Sequence, residues 1–243
     1  MNLKHLIIGA SLLAFSSLIQ AFETDQQRIE HKLQILDSGS VEQKEQMLER
    51  LQWSGLSDPL LFDRLEKDVL AAQEEKYFER DVLSVLAYEV RALGYSGNPK
   101  YQPTLQLLAN KAENSKLKRH AAKAKTDLVQ FQTIQNKLAG ATITDAELPA
   151  EVVSYIKLLE TNDAYAQRLA ARVIFHEQQT EPALLEVAAA KLEAMYMVTS
   201  LDKMTQDSAA WLCKALKQAS GYESLLQKVA AETPHKKIRK YAS

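Results

Sequence analysis

Apolar residues recur at steps of three and four along almost the whole chain, which is the spacing of an amphipathic α-helix. Val82, Leu86, Val90 and Leu93 show this spacing, and no stretch alternates strictly between apolar and polar residues. The 243 residues include only 7 Gly and 6 Pro, too few turn-forming residues for a many-stranded β-sandwich or barrel. An all-α fold is therefore predicted.

Prolines divide the helical pattern into pairs of helices. Pro59, Pro99, Pro149 and Pro182 each open an apolar-periodic segment. Proline is tolerated in the first turn of a helix, where its missing N–H would have no partner in any case. A second, often more basic helical segment follows within a few residues. The first helices are predicted to begin near Asp25, Asp58, Asn98, Leu148, Glu181 and Gly221.

These starts lie roughly 40 residues apart, a period typical of two-helix solenoid repeats. The clearest repeat covers residues 92–128. Its first helix ends in Leu107 and Leu108, and its second carries an apolar-basic pattern in Leu117 and Arg119, with Ala121 following. The stretch resembles a HEAT repeat, and weaker copies extend the resemblance over most of the chain.

The resemblance implies a right-handed superhelix of about six stacked helix pairs, with the second helices on the concave face. Asn114 stands where the HEAT family usually has Asp, and other α-solenoid subtypes remain alternatives. The tetratricopeptide alternative is weaker because the signature Trp-x2-Leu-Gly-x2-Tyr is absent from the sequence.

Residues 1–21 have the order of a secretory signal peptide. Lys4 precedes an apolar run that ends at Ile19, and charged residues follow Ala21. The run is shorter than the roughly 20 apolar residues that a membrane span needs. We therefore expect export with cleavage after Ala21, and a periplasmic location if the source is Gram-negative. An uncleaved N-terminal anchor in the inner membrane is the alternative.

Residues 22–243 are predicted to form a single continuous array. A lone helix pair cannot bury its apolar face, and stacking on neighbouring pairs creates the core. The longest break between helical segments, residues 139–147, is polar on average. It is a candidate hinge or partial domain boundary.

No catalytic or metal-binding motif appears in the sequence. The histidines lack metal-ligand spacing, and Ser-x-x-Lys occurs three times without the companion motifs of acyl-transfer enzymes. The only cysteine, Cys213, lies in an apolar stretch and is predicted to be buried. No catalytic residue, cofactor or metal is predicted, and the protein is not expected to be an enzyme.

The basic residues are the best candidates for binding. A formal net charge of -1 argues against a general nucleic-acid binder. Basic residues nevertheless cluster on the predicted second helices, where a basic groove would attract an acidic segment of a protein partner. A solvated helix face with ion pairs between repeats is the alternative interpretation. The candidate partner-binding residues are Lys118, Arg119, Lys123, Arg168, Arg172, Lys236, Arg239 and Lys240.

These observations predict a non-catalytic exported scaffold or adaptor that binds a protein partner through the concave face of a helical-repeat array. Two alternatives stay open. One is a peripheral binder of membranes or envelope polymers that uses the basic C-terminal residues. The other is an accessory subunit of an envelope enzyme.

Overall fold

The computed structural model describes residues 25–139 and 148–243, which form an all-α protein. The predicted signal peptide lies outside these residues, as does the predicted hinge except for Ala139, which ends α6. Within the described ranges there are two short 3-10 helices, Leu51–Trp53 and Pro99–Tyr101. The α-helices of these ranges are α1 Asp25–Ser38, α2 Val41–Arg50, α3 Pro59–Ala71, α4 Arg80–Tyr95, α5 Gln102–Lys111, α6 Ser115–Ala139, α7 Ala150–Glu160, α8 Ala164–His176, α9 Pro182–Met195, α10 Lys203–Leu216, α11 Glu223–Glu232 and α12 Lys236–Ala242.

Helix starts follow the predicted proline and capping positions. Pro59 and Pro182 lie in the first turns of α3 and α9, and Pro149 is the N-cap of α7. Pro99 begins a 3-10 helix, so α5 starts at Gln102, three residues later than the position of Pro99 predicts. Asp163 caps α8 by accepting hydrogen bonds from two backbone N–H groups, which would otherwise lack partners.

The helices pack as pairs and in two rows. In chain order the pairs are α1 with α2, α3 with α4, α5 with α6, α7 with α8, α9 with α10, and α11 with α12. The second helices contact one another in the series α2, α4, α6 and in the series α8, α10, α12. The first helices do so from α1 through α3 to α5, and from α7 to α9. Leu and Ala side chains fill the continuous core between the two rows.

Hydrogen bonds between neighbouring pairs recur at a nearly constant sequence separation. The Tyr101 hydroxyl donates to Asp63 across 38 residues, and the Tyr196 hydroxyl donates to Glu232 across 36. Thr233 donates to the Tyr196 carbonyl across 37. Hydrogen bonds of this kind therefore join successive pairs in both halves of the chain.

The first and fourth pairs also touch, although in a simple repeat array each unit contacts only its neighbours. The Arg28 guanidinium of α1 lies 2.7 Å from the Glu151 carboxylate of α7. The Arg50 guanidinium lies 2.8 Å from the Glu177 carboxylate, just after α8. Trp53 stacks on a ring at the end of α8, with a distance of 6.3 Å between the ring centroids. The two halves of the chain therefore meet at the end of the first pair.

Two glycines allow α4 and the turn after it to approach α6 closely. A Cβ atom at Gly94 would lie 2.6 Å from the carbonyl oxygen of Ala124. A Cβ atom at Gly97 would lie 2.6 Å from the backbone of Phe131, and Gly97 also has a φ of +62°, which disfavours other residues. Because both obstacles are backbone atoms, a side-chain rotation cannot relieve the clash.

Cys213 and Glu89 are buried ionisable groups. Cys213 lies in the core, as predicted, and burial raises the pKa of its thiol to about 12. Glu89 on α4 is 5% exposed, and its Oε2 atom has no hydrogen-bond partner within the described residues. Burial, reinforced by the nearby Asp68 carboxylate, raises the pKa of Glu89 to about 8. The carboxyl is therefore mostly protonated at neutral pH.

None of the helices in these two ranges combines the length and the apolar character that a membrane span requires.

Gly94→Ala is expected to lower the free energy of unfolding by about 1–3 kcal/mol, because the added methyl group forces α4 away from α6. The better helix propensity of Ala returns only about 1 kcal/mol of this loss. Urea unfolding measures the difference. Ala122→Val adds carbon on the exposed side of α6 and should cost much less. Equal effects of the two substitutions would contradict the close approach.

The free energy of unfolding of the Glu89→Gln variant is expected to rise, relative to that of the natural protein, as the pH rises. The folded-state pKa of about 8 exceeds the ordinary value of 4.5, so the folded protein keeps a proton that the unfolded chain releases. The stability that this group contributes is complete below pH 4.5 and is lost as the pH rises through 8. Urea unfolding at about pH 5, 7 and 9 measures the trend. The exposed control Glu193→Gln should show no such trend, and a pH-independent effect of Glu89→Gln would refute the assignment.

Candidate functional site

A cleft of about 220 Å³ opens between α8, α10 and α12. It combines cations with aromatic rings, and we call it the aromatic-cationic cleft. Its lining residues are Arg168, Asp207, Ala210, Trp211, Lys214, Lys237 and Tyr241. Arg172 and Trp53 extend the same surface toward the first helix pair, since the guanidinium of Arg172 contacts the rings of both tryptophans.

Helical spacing explains why these side chains share one surface. Asp207, Trp211 and Lys214 lie four and then three residues apart on α10, so all three project from one face of the helix. The remaining lining residues use the same spacing of four, Arg168 with Arg172 on α8 and Lys237 with Tyr241 on α12.

Asp207 holds the three second helices together at one end of the cleft. Its carboxylate accepts hydrogen bonds from Arg168 Nε on α8 and, at 2.5 Å, from Lys237 Nζ on α12. Burial alone would raise the pKa of Asp207, but the hydrogen bonds from Lys237 and Arg168 outweigh burial and hold the pKa below its usual value. The carboxylate is therefore charged at neutral pH and forms ion pairs with two cations at once.

Lys214 lies among aromatic rings instead of beside a carboxylate. Its Nζ atom is 4.0 Å from the ring centroid of Trp211, 4.6 Å from that of Tyr241 and 5.4 Å from that of Phe175. The negative faces of such rings attract an ammonium group, but they do not neutralise its charge. No ion pair joins Lys214 to an acidic side chain in the part of the chain that the structure describes. The lysine is thus positioned without a counter-ion.

Arg172 is placed in a similar way. Its guanidinium carbon lies 5.6 Å from the ring centroid of Trp211 and 6.0 Å from that of Trp53. Its Nε atom is buried and has no hydrogen-bond partner among the described residues. Burial lowers the pKa of Arg172, and repulsion from Arg168 lowers it further, while Tyr165 and Glu49 oppose these effects. The guanidinium therefore stays charged, and its neighbours offset that charge only in part.

His176 completes the surface as an uncharged ring. It lies at the end of α8, with ring centroids 5.5 Å from Trp211 and 5.2 Å from Phe175. Burial and the nearby Arg172 cation lower the pKa of His176 from its ordinary value. At neutral pH the ring therefore contributes contact area and hydrogen-bonding capacity, while the positive charge comes from Arg172 and Lys214.

The arrangement suits the binding of an anionic group with an apolar or aromatic neighbour. Arg172 and Lys214, which form no ion pair among the described residues, both contact the ring of Trp211. Within residues 25–139 and 148–243 no group of three or more His, Cys, Asp or Glu side chains is placed to hold a metal ion.

The structure places the predicted basic residues of α8 and α12 in different roles. Arg168 and Arg172 belong to the cleft, and Lys240 lies at its rim, 5.6 Å from the ring of Tyr241. Lys236 is exposed. Arg239 donates to the Thr233 carbonyl at the end of α11, which is a structural contact.

The predicted basic residues of α6 lie elsewhere. Lys118 lines a separate, open depression beside Glu74 and Glu113. Lys123 forms an ion pair with Asp127 on its own helix, and Arg119 is exposed. The structure therefore does not join these three residues to the cations of α8 and α12 in one site.

Sequence reasoning missed Trp53, Trp211, Lys214, Lys237 and Tyr241. One signal was available on α10. Trp211 lies two residues before the buried Cys213, so the two side chains point to nearly opposite sides of the helix. A tryptophan opposite a core residue, followed by a lysine three positions later, indicates a functional surface.

No protein-family model matches the chain, and neither a curated protein nor a solved structure matches it at a significant level.

Asp207→Asn is expected to lower the free energy of unfolding by about 1 kcal/mol, because the partly exposed pairs with Arg168 and Lys237 lose their charge attraction. The loss should shrink at high salt, since solvent-accessible ion pairs are screened. The same variant should bind a carboxylate-rich peptide more tightly, because two cations lose their shared counter-ion. Thermal unfolding and peptide titration measure the two effects.

Asp127→Asn is the matched control for this change. Asp127 pairs with Lys123 within α6 and neither lines the cleft nor pairs with its cations, so its substitution should leave peptide affinity unchanged. If both variants altered peptide affinity equally, Asp207 would not be the counter-ion that limits anion binding in the cleft.

Proposed function

We propose that this protein is a non-catalytic exported scaffold or adaptor that holds an acidic segment of a protein partner in the aromatic-cationic cleft. The cleft lies on the second helices, which in a right-handed HEAT-like superhelix line the concave face. The two rows of helices and the recurring inter-pair hydrogen bonds support that architecture.

The observation that carries the proposal is the environment of Lys214 and Arg172. Both cations are fixed against Trp211, yet neither forms an ion pair with a carboxylate among the described residues. Both side chains are only partly buried, and their charges remain available to attract an incoming carboxylate.

A protein segment fits this surface better than a nucleic acid does. The chain as a whole has a net charge of -1, whereas general nucleic-acid binding requires extended positive potential. The surface also carries three large aromatic rings. Trp53 comes from the 3-10 helix after α2, Trp211 from α10 and Tyr241 from α12. Tryptophan, tyrosine and arginine are the residues that most often dominate the energy of protein–protein contacts.

The two tryptophans of the chain provide a direct measurement, since both lie at the cleft. Titration with a glutamate-rich peptide that also carries one aromatic residue should change tryptophan fluorescence. Lys214→Glu and Arg172→Gln should each weaken binding by at least about tenfold, because each removes a cation beside Trp211. Raising the salt concentration should weaken binding to the natural protein as well.

Lys203→Glu is the matched control, because Lys203 is an exposed lysine at the start of the same helix α10. It should bind the peptide as the natural protein does, and circular dichroism should show all variants folded. If Lys214→Glu and Lys203→Glu behaved alike, the proposed site would be wrong. Sedimentation with anionic vesicles or peptidoglycan tests the peripheral-binder alternative, which requires retention on those materials with no affinity for the peptide.

A further inference from the structure

The loop between α3 and α4 presents an exposed aromatic residue among carboxylates. We define the acidic loop as residues 73–79, which contain Glu74, Glu75 and Glu79 against the single cation Lys76. Tyr77 in this loop is 77% exposed, the highest value among the large hydrophobic side chains of the described ranges. The Nζ atom of Lys76 lies 5.3 Å from the centroid of this ring, and tyrosine is a residue type that is enriched at protein interfaces.

The acidic loop is held in place by the neighbouring helix pair. The side-chain amide of Asn114 donates to the Lys76 carbonyl at 3.0 Å, and the Glu113 N–H donates to the Gln73 carbonyl at 3.1 Å. The Tyr77 N–H donates to the Glu75 carboxylate at 3.1 Å. A loop that is ordered in advance loses little conformational entropy when it docks.

The loop and the cleft are built from different helix pairs of the same molecule. The loop joins the two helices of a pair and touches residues 113 and 114, just before α6 begins. Trp53 and Lys214 lie instead near the ends of second helices. Among the described residues, the hydrogen bonds that anchor the loop go to residues 113 and 114 and to none that line the cleft, so the loop does not occupy the cleft of its own chain in the structure.

The charges of the loop and the cleft are complementary. The cleft carries one carboxylate, that of Asp207, and four cations. The cations are Arg168, Arg172, Lys214 and Lys237. The acidic loop carries three carboxylates and one cation around an exposed aromatic ring. The loop therefore has the composition of the ligand that the cleft is suited to bind, an anionic segment with an aromatic neighbour.

We propose that the acidic loop of one copy docks into the aromatic-cationic cleft of a second copy, with Tyr77 against Trp211 and the loop carboxylates beside Arg172 and Lys214. The inference rests on the proposed function because it uses the same cleft, and it names the partner. The two surfaces of this contact differ, so repeated docking is head-to-tail and gives open chains or a closed ring.

Sedimentation velocity at increasing protein concentration is the first test. The natural protein should self-associate, and salt should weaken the association. A loop variant, Tyr77→Ala with Glu75→Lys, and a cleft variant, Lys214→Glu, should each remain monomeric alone. Mixing the two in equal amounts should give a 1:1 heterodimer, because one copy keeps an intact loop and the other keeps an intact cleft.

Matched variants separate this contact from general changes of charge or hydrophobicity. Leu60→Ala with Glu193→Lys removes one exposed apolar side chain and reverses one exposed carboxylate outside the loop, and this variant should self-associate like the natural protein. Lys214→Gln serves as a second cleft variant if Lys214→Glu does not fold. A loop variant that still self-associates would overturn the inference.

The outcomes also separate this inference from the proposed function. A natural protein that stays monomeric at its highest soluble concentration, yet binds the acidic peptide through Lys214, overturns self-docking and leaves the proposed function intact. Self-association that survives every cleft variant overturns self-docking as well. If Lys214→Glu did not weaken peptide binding, the cleft would not be the binding site, and the proposed function would be wrong as well.

Discussion

Arg28 is a buried cation at the junction of the two halves of the molecule. Its side chain is 4% exposed, pairs with Asp25 and Glu151, and donates to the carbonyl of Ser54. Removing one partner of such a buried group leaves an uncompensated charge, which costs more than the pair contributes as a whole. The contact holds the end of the first helix pair against α7, and it thereby places Trp53 beside α8. One wall of the aromatic-cationic cleft depends on this junction.

Two cations of the cleft lie against aromatic rings and not beside a carboxylate. Elsewhere, cations such as Arg64 are matched by acidic side chains from their own helix or a neighbouring one. Arg168 and Lys237 share Asp207 in the same manner. Arg172 and Lys214 instead face the rings around Trp211. Rings position a cation without cancelling its charge, so this part of the surface keeps a field that can act on a ligand.

The near-neutral charge of the chain conceals a separation of charge within the fold. A formal net charge of -1 says little about binding, because the sum includes both the net negative acidic loop and the net positive cleft. In the structure the two belong to different helix pairs, and each presents an aromatic side chain. Local complementarity of this kind determines specificity and association rate more than overall charge does.

Local sequence signals determined the helices. The spacing of apolar residues, together with Pro59, Pro182 and the capping Asp163, predicted the element type and most helix starts, because these depend on interactions within a few residues. The burial of Cys213 followed from the same spacing. Arg168 and Arg172 were predicted as site residues because their charge is visible in the sequence.

Only the tertiary structure decided which helices share the cleft. Trp53 and Arg172 are 119 residues apart in the sequence and meet because the first and fourth pairs touch, which no local signal encodes. For the same reason the basic residues of α6 could not be separated in advance from those of α8. The charge of a residue is local, whereas the presence of a counter-ion depends on long-range packing. The sequence therefore determined the helices and the supply of cations, and the packing decided which cations lack a counter-ion.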